Sequence, residues 1–239
     1  MKIISVADRT ETKKRGREFL DFFLADNSNS PVLLLLSGGS AFDLIDGFNS
    51  TKLGPNLTIS VLDERYVFDS DLSNFAQMAK TEFYRFALAA GANFIDPRPG
   101  PNQSLSQAAV SFDQSLKRWR ELNPTGRVII TQGIGFDGHT AGIMPFPENK
   151  ILFKHLFEDP AIWAVGYDAA GKNELPLRLT CSISFLENVV DQSLGYVLGE
   201  EKRDVLKRVQ GGAGVLADLP ALVFNRMKKV EIFTDLNFD

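Results

Sequence analysis

The segment Gly133-Ile134-Gly135-Phe136-Asp137-Gly138-His139-Thr140-Ala141 places an Asp and one of the chain's two histidines among three glycines. Imidazole can accept a proton near neutral pH, and a carboxylate two residues away is a suitable group to orient it. Three glycines in six positions weaken a loop that only connects elements, so the spacing marks His139 and Asp137 as a candidate acid–base site. Two other stretches carry compatible chemistry. Ser37-Gly38-Gly39-Ser40 can turn tightly and present backbone N–H groups to a phosphate. Asp63-Glu64-Arg65 sets three charges in a row, and Ser73 or Asn74, which follow at ten and eleven residues from Asp63, can cap a helix. His155, in the helix-like KILFKHLFE, reads as structural or surface.

Each of the three stretches stands at the end of an apolar strand. VLLLL at Val32 to Leu36 suits a strand buried on both faces of a parallel sheet, and Leu57 to Asp63 and Arg127 to Thr131 are similar. Further strands are expected at Lys2 to Val6, near Ile162 to Gly166, at Leu177 to Ser184, at Gly195 to Leu198 and at Val230 to Thr234. Helices are expected over Thr10 to Ala25, from Ala41, over Asn74 to Ala90, along the periodic Leu105, Ala109, Phe112, Leu116 and Trp119, and from Glu200. Such alternation predicts a layered α/β fold with a largely parallel central sheet, read here as a single domain over residues 1–239. In open sheets of this kind ligands bind outside the C-terminal ends of the strands, where all three stretches lie.

Composition narrows the partners. With 30 acidic against 26 basic side chains the net charge is −4, which repels phosphate polymers, so nucleic acid is not an expected partner. No apolar run exceeds five residues, whereas crossing a bilayer takes about 20. A single cysteine, Cys181, and a charged N-terminal stretch fit a reducing cytoplasm. Two histidines and one cysteine are too few for a His/Cys zinc site, and no metal is expected.

LSGGS at Leu36 to Ser40, LDERYV at Leu62 to Val67 with Ser73-Asn74, and GIGFDGHTAGIMP at Gly133 to Pro145 together resemble the 6-phosphogluconolactonases. Pro176-Leu177-Arg178-Leu179-Thr180, Gly199-Glu200-Glu201-Lys202 and Leu219-Pro220-Ala221 are similar to later motifs of that family, in the same order. The chain departs from the pattern at Ala41-Phe42, where Thr-Pro is common, at Phe68, where Pro is usual, and at Gly142-Ile143-Met144, where Ser-Leu-Phe is common. The glucosamine-6-phosphate deaminases share the Gly-x-Gly-x-Asp-Gly-His core but carry a Glu where this chain has Met144, and a Tyr where it has Arg65.

The resemblance implies a three-layer α/β/α fold and hydrolysis of 6-phospho-D-glucono-1,5-lactone in the oxidative pentose phosphate route. It implies His139 as base, Asp137 or Asp63 as the group orienting it, and Arg65 against substrate oxygens or the developing oxyanion. Ser37, Gly38, Gly39 and Ser40, with Arg178 and Lys202, would hold the phosphate. No cofactor is implied, the partner is a small phosphosugar lactone, and monomer and homo-oligomer stay open. The alternatives are an amino-sugar phosphate deaminase and a non-catalytic sugar-phosphate sensor.

Overall fold

The computed structural model describes residues 1–6, 8–48, 51–68, 71–169 and 171–238. It opens with strand β1 (Lys2–Ser5), helix α1 (Arg9–Asp26), β2 (Val32–Leu36), a 3-10 turn (Gly39–Leu44), β3 (Leu57–Val61) and β4 (Asp63–Arg65). Helices α2 (Asn74–Ala79) and α3 (Glu82–Ala89), the short β5 (Asn93–Phe94), α4 (Leu105–Leu122), β6 (Arg127–Gln132) and α5 (Lys150–Phe157) follow. The chain continues through β7 (Ala164–Asp168), β8 (Leu177–Cys181), α6 (Ile183–Asn188) and β9 (Gln192–Val197). A 3-10 turn (Glu200–Lys202), α7 (Arg203–Gly211), a second 3-10 turn (Pro220–Asn225) and β10 (Val230–Thr234) complete it.

Seven strands form one parallel sheet in the order β1-β10-β9-β6-β2-β3-β5. All five residues of β2 are buried, because alternate leucines point to opposite faces and both faces are covered. Leu34 and Leu36 pack with Leu20 and Leu24 of α1 and with Phe75 and Phe83 of α2 and α3. Leu33 and Leu35 pack with Phe112, Leu116 and Trp119 of α4. Helices on both sides of the sheet make three layers, as expected.

A second, three-stranded antiparallel sheet, β4-β8-β7, lies on the α4 side and was not expected. The run Leu57 to Asp63 is therefore not one strand. Leu62 is the junction: its N–H donates to the Leu36 carbonyl of the main sheet at 2.8 Å, and its carbonyl accepts from Cys181 of the second at 3.1 Å. Three other expectations are corrected. The helix from Ala41 is only the six-residue 3-10 turn Gly39–Leu44. The helix over Asn74 to Ala90 breaks at Lys80, where the Thr81 hydroxyl caps α3 by accepting from the Tyr84 N–H at 3.2 Å. The strand from Leu177 stops at Cys181, and Ser182 caps α6 instead. Cys181 itself is a free, fully buried thiol whose pKa burial pushes well up.

Candidate active site

The ends of β2, β3, β6 and β9 open into one cavity of about 280 Å³, near the lower end of small-ligand pockets, roughly 300–1,000 Å³. Nine of the ten residues expected from the sequence reach it, and Asp137 stands immediately behind. His139 lines the cavity with its side chain about one third exposed, and its Nδ1 lies 2.6 Å from Asp137 Oδ1. The same carboxylate oxygen accepts the His139 backbone N–H at 3.1 Å. Burial opposes ionisation of Asp137, but His139, through its hydrogen bonds and charge, outweighs it and holds the carboxyl below its ordinary value. With Nδ1–H donated to Asp137, the imidazole keeps its Nε2 lone pair free to take a proton.

Backbone geometry makes room for this pair. A Cβ on Gly135 would fall 2.0 Å from His139 Nδ1 and 2.5 Å from Asp137 Oδ1, so any other residue there displaces the dyad. The chain then reverses in a tight turn, in which Ile143 N–H donates to the Thr140 carbonyl at 2.8 Å and Ala141 and Gly142 have φ of 52° and 69°. Those angles are the left-handed pair of a type I′ turn. Tyr167 clamps the turn, donating to the Gly142 carbonyl at 2.5 Å and accepting from Met144 N–H at 3.1 Å. Burial raises the Tyr167 pKa, which keeps the phenol protonated as a donor.

Of the charged triplet, the three residues separate in role. Glu64 is 1% exposed and accepts from the Ser73 hydroxyl and from the N–H groups of Arg65, Asn74 and Phe75, all at 2.7–2.8 Å. It closes the N-terminus of α2 and does not enter the cavity. Asp63 does, as a buried carboxyl that burial pushes above the usual range against the pull of Arg178, Arg65 and His139. Asp63 makes no hydrogen bond to the imidazole among the described residues, so of the two carboxylates it is Asp137 that touches the ring. Arg65 faces Arg178 directly across the β4–β8 pair. Like charges at such a position are destabilising unless an anion answers them.

Arg178 is 5% exposed, donates to the Leu175 carbonyl at 3.0 Å and stands 3.8 Å from Asp63 Oδ2. Lys202 also lines the cavity, with Nζ 5.7 Å from the Phe136 ring centre and no ion pair among the described residues. Three cations and one carboxylate thus line the cavity of a chain whose net charge is −4. Ser37 to Ser40 line the cavity as well, and the Ser37 N–H is tied to the Thr131 hydroxyl at 2.9 Å. The turn after Gly38 is a short 3-10 segment, so the loop carries no long-helix dipole. Sequence reasoning missed Asn173 and Gly142 as lining residues and took Asn74 only as a possible cap. Ser73 does cap α2, accepting from Ala76 N–H at 3.1 Å, and Asn74 turns to the cavity.

A profile of the family described as glucosamine-6-phosphate isomerases/6-phosphogluconolactonase matches residues 18–233, which include every one of these side chains. The chain belongs to that family. A 6-phosphogluconolactonase of Pseudomonas aeruginosa is 34% identical over 116 residues, an alignment that spans 48% of this chain and 46% of the relative, a little under half of its length. The fold matches the crystal structure of a 6-phosphogluconolactonase from Shewanella baltica with a TM-score of 0.79 at 20% identity, over 98% of this chain and 97% of the other. It also matches a monomeric glucosamine-6-phosphate deaminase with a TM-score of 0.70 at 19% identity, over 98% and 97% of the two chains. The family's shared fold thus accommodates both activities, and residues within the site must separate them.

Proposed function

We propose that the protein hydrolyses 6-phospho-D-glucono-1,5-lactone to 6-phosphogluconate, with residues 1–239 acting as one unit in a reducing cytoplasm. The observation that carries this reading is the His139–Asp137 pair, closed at 2.6 Å on the rim of a cavity walled by Arg65, Arg178 and Lys202. Water attacks the lactone carbonyl while His139 Nε2 takes its proton, and Asp137 supports the imidazolium that forms. Arg65 answers the negative charge gathering on the carbonyl oxygen. Collapse of the tetrahedral intermediate breaks the bond from the carbonyl carbon to the ring oxygen, which recovers the proton from His139. The phosphate is held by the Ser37–Ser40 loop, by Arg178 as a forked donor and by Lys202 as a point charge. These groups supply a base, oxyanion stabilisation and a phosphate grip, so the scheme calls for no metal or organic cofactor.

The deaminase reading requires a carboxylate after the Asp-Gly-His core. Met144 at that position is 1% exposed in the core, and a thioether cannot exchange a proton. A side-by-side assay decides between them. Fresh 6-phosphogluconolactone should be hydrolysed well above its spontaneous rate, with no ammonia from glucosamine 6-phosphate. Ammonia release without lactone hydrolysis refutes the proposal.

A further inference from the structure

Asn74 is the first residue of α2, yet its side chain leaves the helix and enters the cavity wall between Gly38 and Asp63. The residue is 1% exposed, and its amide nitrogen donates to the Asp63 carbonyl at 2.9 Å and lies 3.4 Å from Asp63 Oδ2. The carbonyl only accepts, so the amide has one satisfactory orientation, with nitrogen to Asp63 and oxygen to the Gly38 side. That oxygen, Oδ1, has no hydrogen-bond partner among the described residues. Capping does not account for it, because Ser73 and Glu64 already satisfy the start of α2.

We infer that Asn74 is a specificity-determining residue whose Oδ1 accepts a hydrogen bond from a ring hydroxyl of the substrate, an inference that rests on the lactonase reading. The atom's chemistry selects its partner. An amide oxygen only accepts, as do the oxygens of a phosphate dianion, so the phosphate cannot satisfy it. The remaining donors on a phosphosugar lactone are its ring hydroxyls. The location agrees, since Asn74 stands between the anion loop at Gly38 and the carboxyl of Asp63. A site built around such an acceptor rejects the analogue lacking the hydroxyl, because the buried oxygen is then left unmatched.

The test compares kcat/KM of wild type and Asn74→Ala on the parent phospholactone and on its 2-, 3- and 4-deoxy analogues. Wild type should lose about tenfold or more on one deoxy lactone, the equivalent of a hydrogen bond. Asn74→Ala should lose about as much on the parent and treat the parent and that one analogue alike within about twofold. A uniform loss on all four lactones overturns the inference, since it means that Asn74 acts only through Asp63. Should Asn74→Ala fail to fold, Asn74→Ser takes its place, a small hydroxyl that removes the amide oxygen without adding a charge beside Asp63. Loss of discrimination between parent and analogue by that variant supports the assignment, and retained discrimination overturns it. A wild-type protein inert on the parent lactone refutes the activity and this inference together, whereas an active wild type with uniform losses refutes only the role of Asn74.

Discussion

His139 and Asp137 stood out in the chain, with Asp63 as a second candidate to orient the imidazole, because their contact is local: two residues of separation and a glycine turn bring Nδ1 and Oδ1 to 2.6 Å without help from distant elements. His139→Ala should lower kcat by about 10²- to 10⁴-fold with the fold intact, after the spontaneous rate is subtracted. Gly135→Ala should do comparable damage without touching either group. Its Cβ would displace the imidazole, and a misplacement of about 1 Å can cost about 10²-fold, so kcat should drop while circular dichroism stays near the parent. Asp137 also gives a pH signature. Its folded pKa lies below the ordinary value of about 3.9, so its stabilising effect is present above that value and is lost as pH falls through the lower folded one. The difference in melting temperature between wild type and Asp137→Asn should therefore shrink on acidification below about pH 4. A pH-independent difference would show that the pairing adds nothing to stability. By contrast, the burial of Glu64 and the inward turn of Asn74 depend on α2 packing over β4, and nothing within the triplet distinguishes a solvated charge from a sealed one.

Helix α1 lines no wall of the cavity, yet one face of it holds the 3-10 turn that follows the Ser37–Ser40 loop. Arg9 and Lys13 pair with Asp43 and Asp46, both at 2.9 Å, and Arg17 donates to the carbonyls of Asp43 and Leu44, both at 3.1 Å. Spacing of four residues puts these cations in one row, and Gly16 lets the helix close onto Leu44. Arg17→Met, which keeps an unbranched stem but donates no hydrogen bond to either carbonyl, should raise KM for the phospholactone by up to about tenfold and leave kcat within about twofold. An unphosphorylated gluconolactone should feel little of this, and equal effects on both lactones would refute a positioning role. Glu64→Gln, with one acceptor oxygen for four donors, should cost about 1–3 kcal/mol, seen as a lower denaturation midpoint at unchanged slope. Elements with strong periodicity and local caps, such as α1, β2 and α4, matched their expected spans closely. The second sheet did not announce itself, because β4 pairs with a strand more than a hundred residues later and no local pattern records such a partner. The break at Thr81 did leave a sign, a β-branched capping residue followed directly by Glu, overridden by the apolar run on either side.

Taken whole, the molecule assembles its cavity from two sheets: His139, Lys202 and the Ser37–Ser40 loop follow strands of the parallel one, and Arg65 and Arg178 lie within the antiparallel one. A phosphorylated ligand held across both should stabilise the entire fold. At one hundred times its dissociation constant, 6-phosphogluconate should add about 2.7 kcal/mol, or about 5–10 °C in melting temperature for a chain of this size. Arg178→Ala or Lys202→Ala should remove most of that shift, and a full shift in either variant would discount its grip on phosphate. The lone thiol offers an independent view of the same coupling. Cys181 ends the strand that carries Arg178, three residues away, and with no exposed surface it meets a thiol reagent only when the antiparallel sheet parts. Its modification rate is thus a built-in clock for that opening, and occupancy of a cavity seated partly on the parallel sheet should slow the clock.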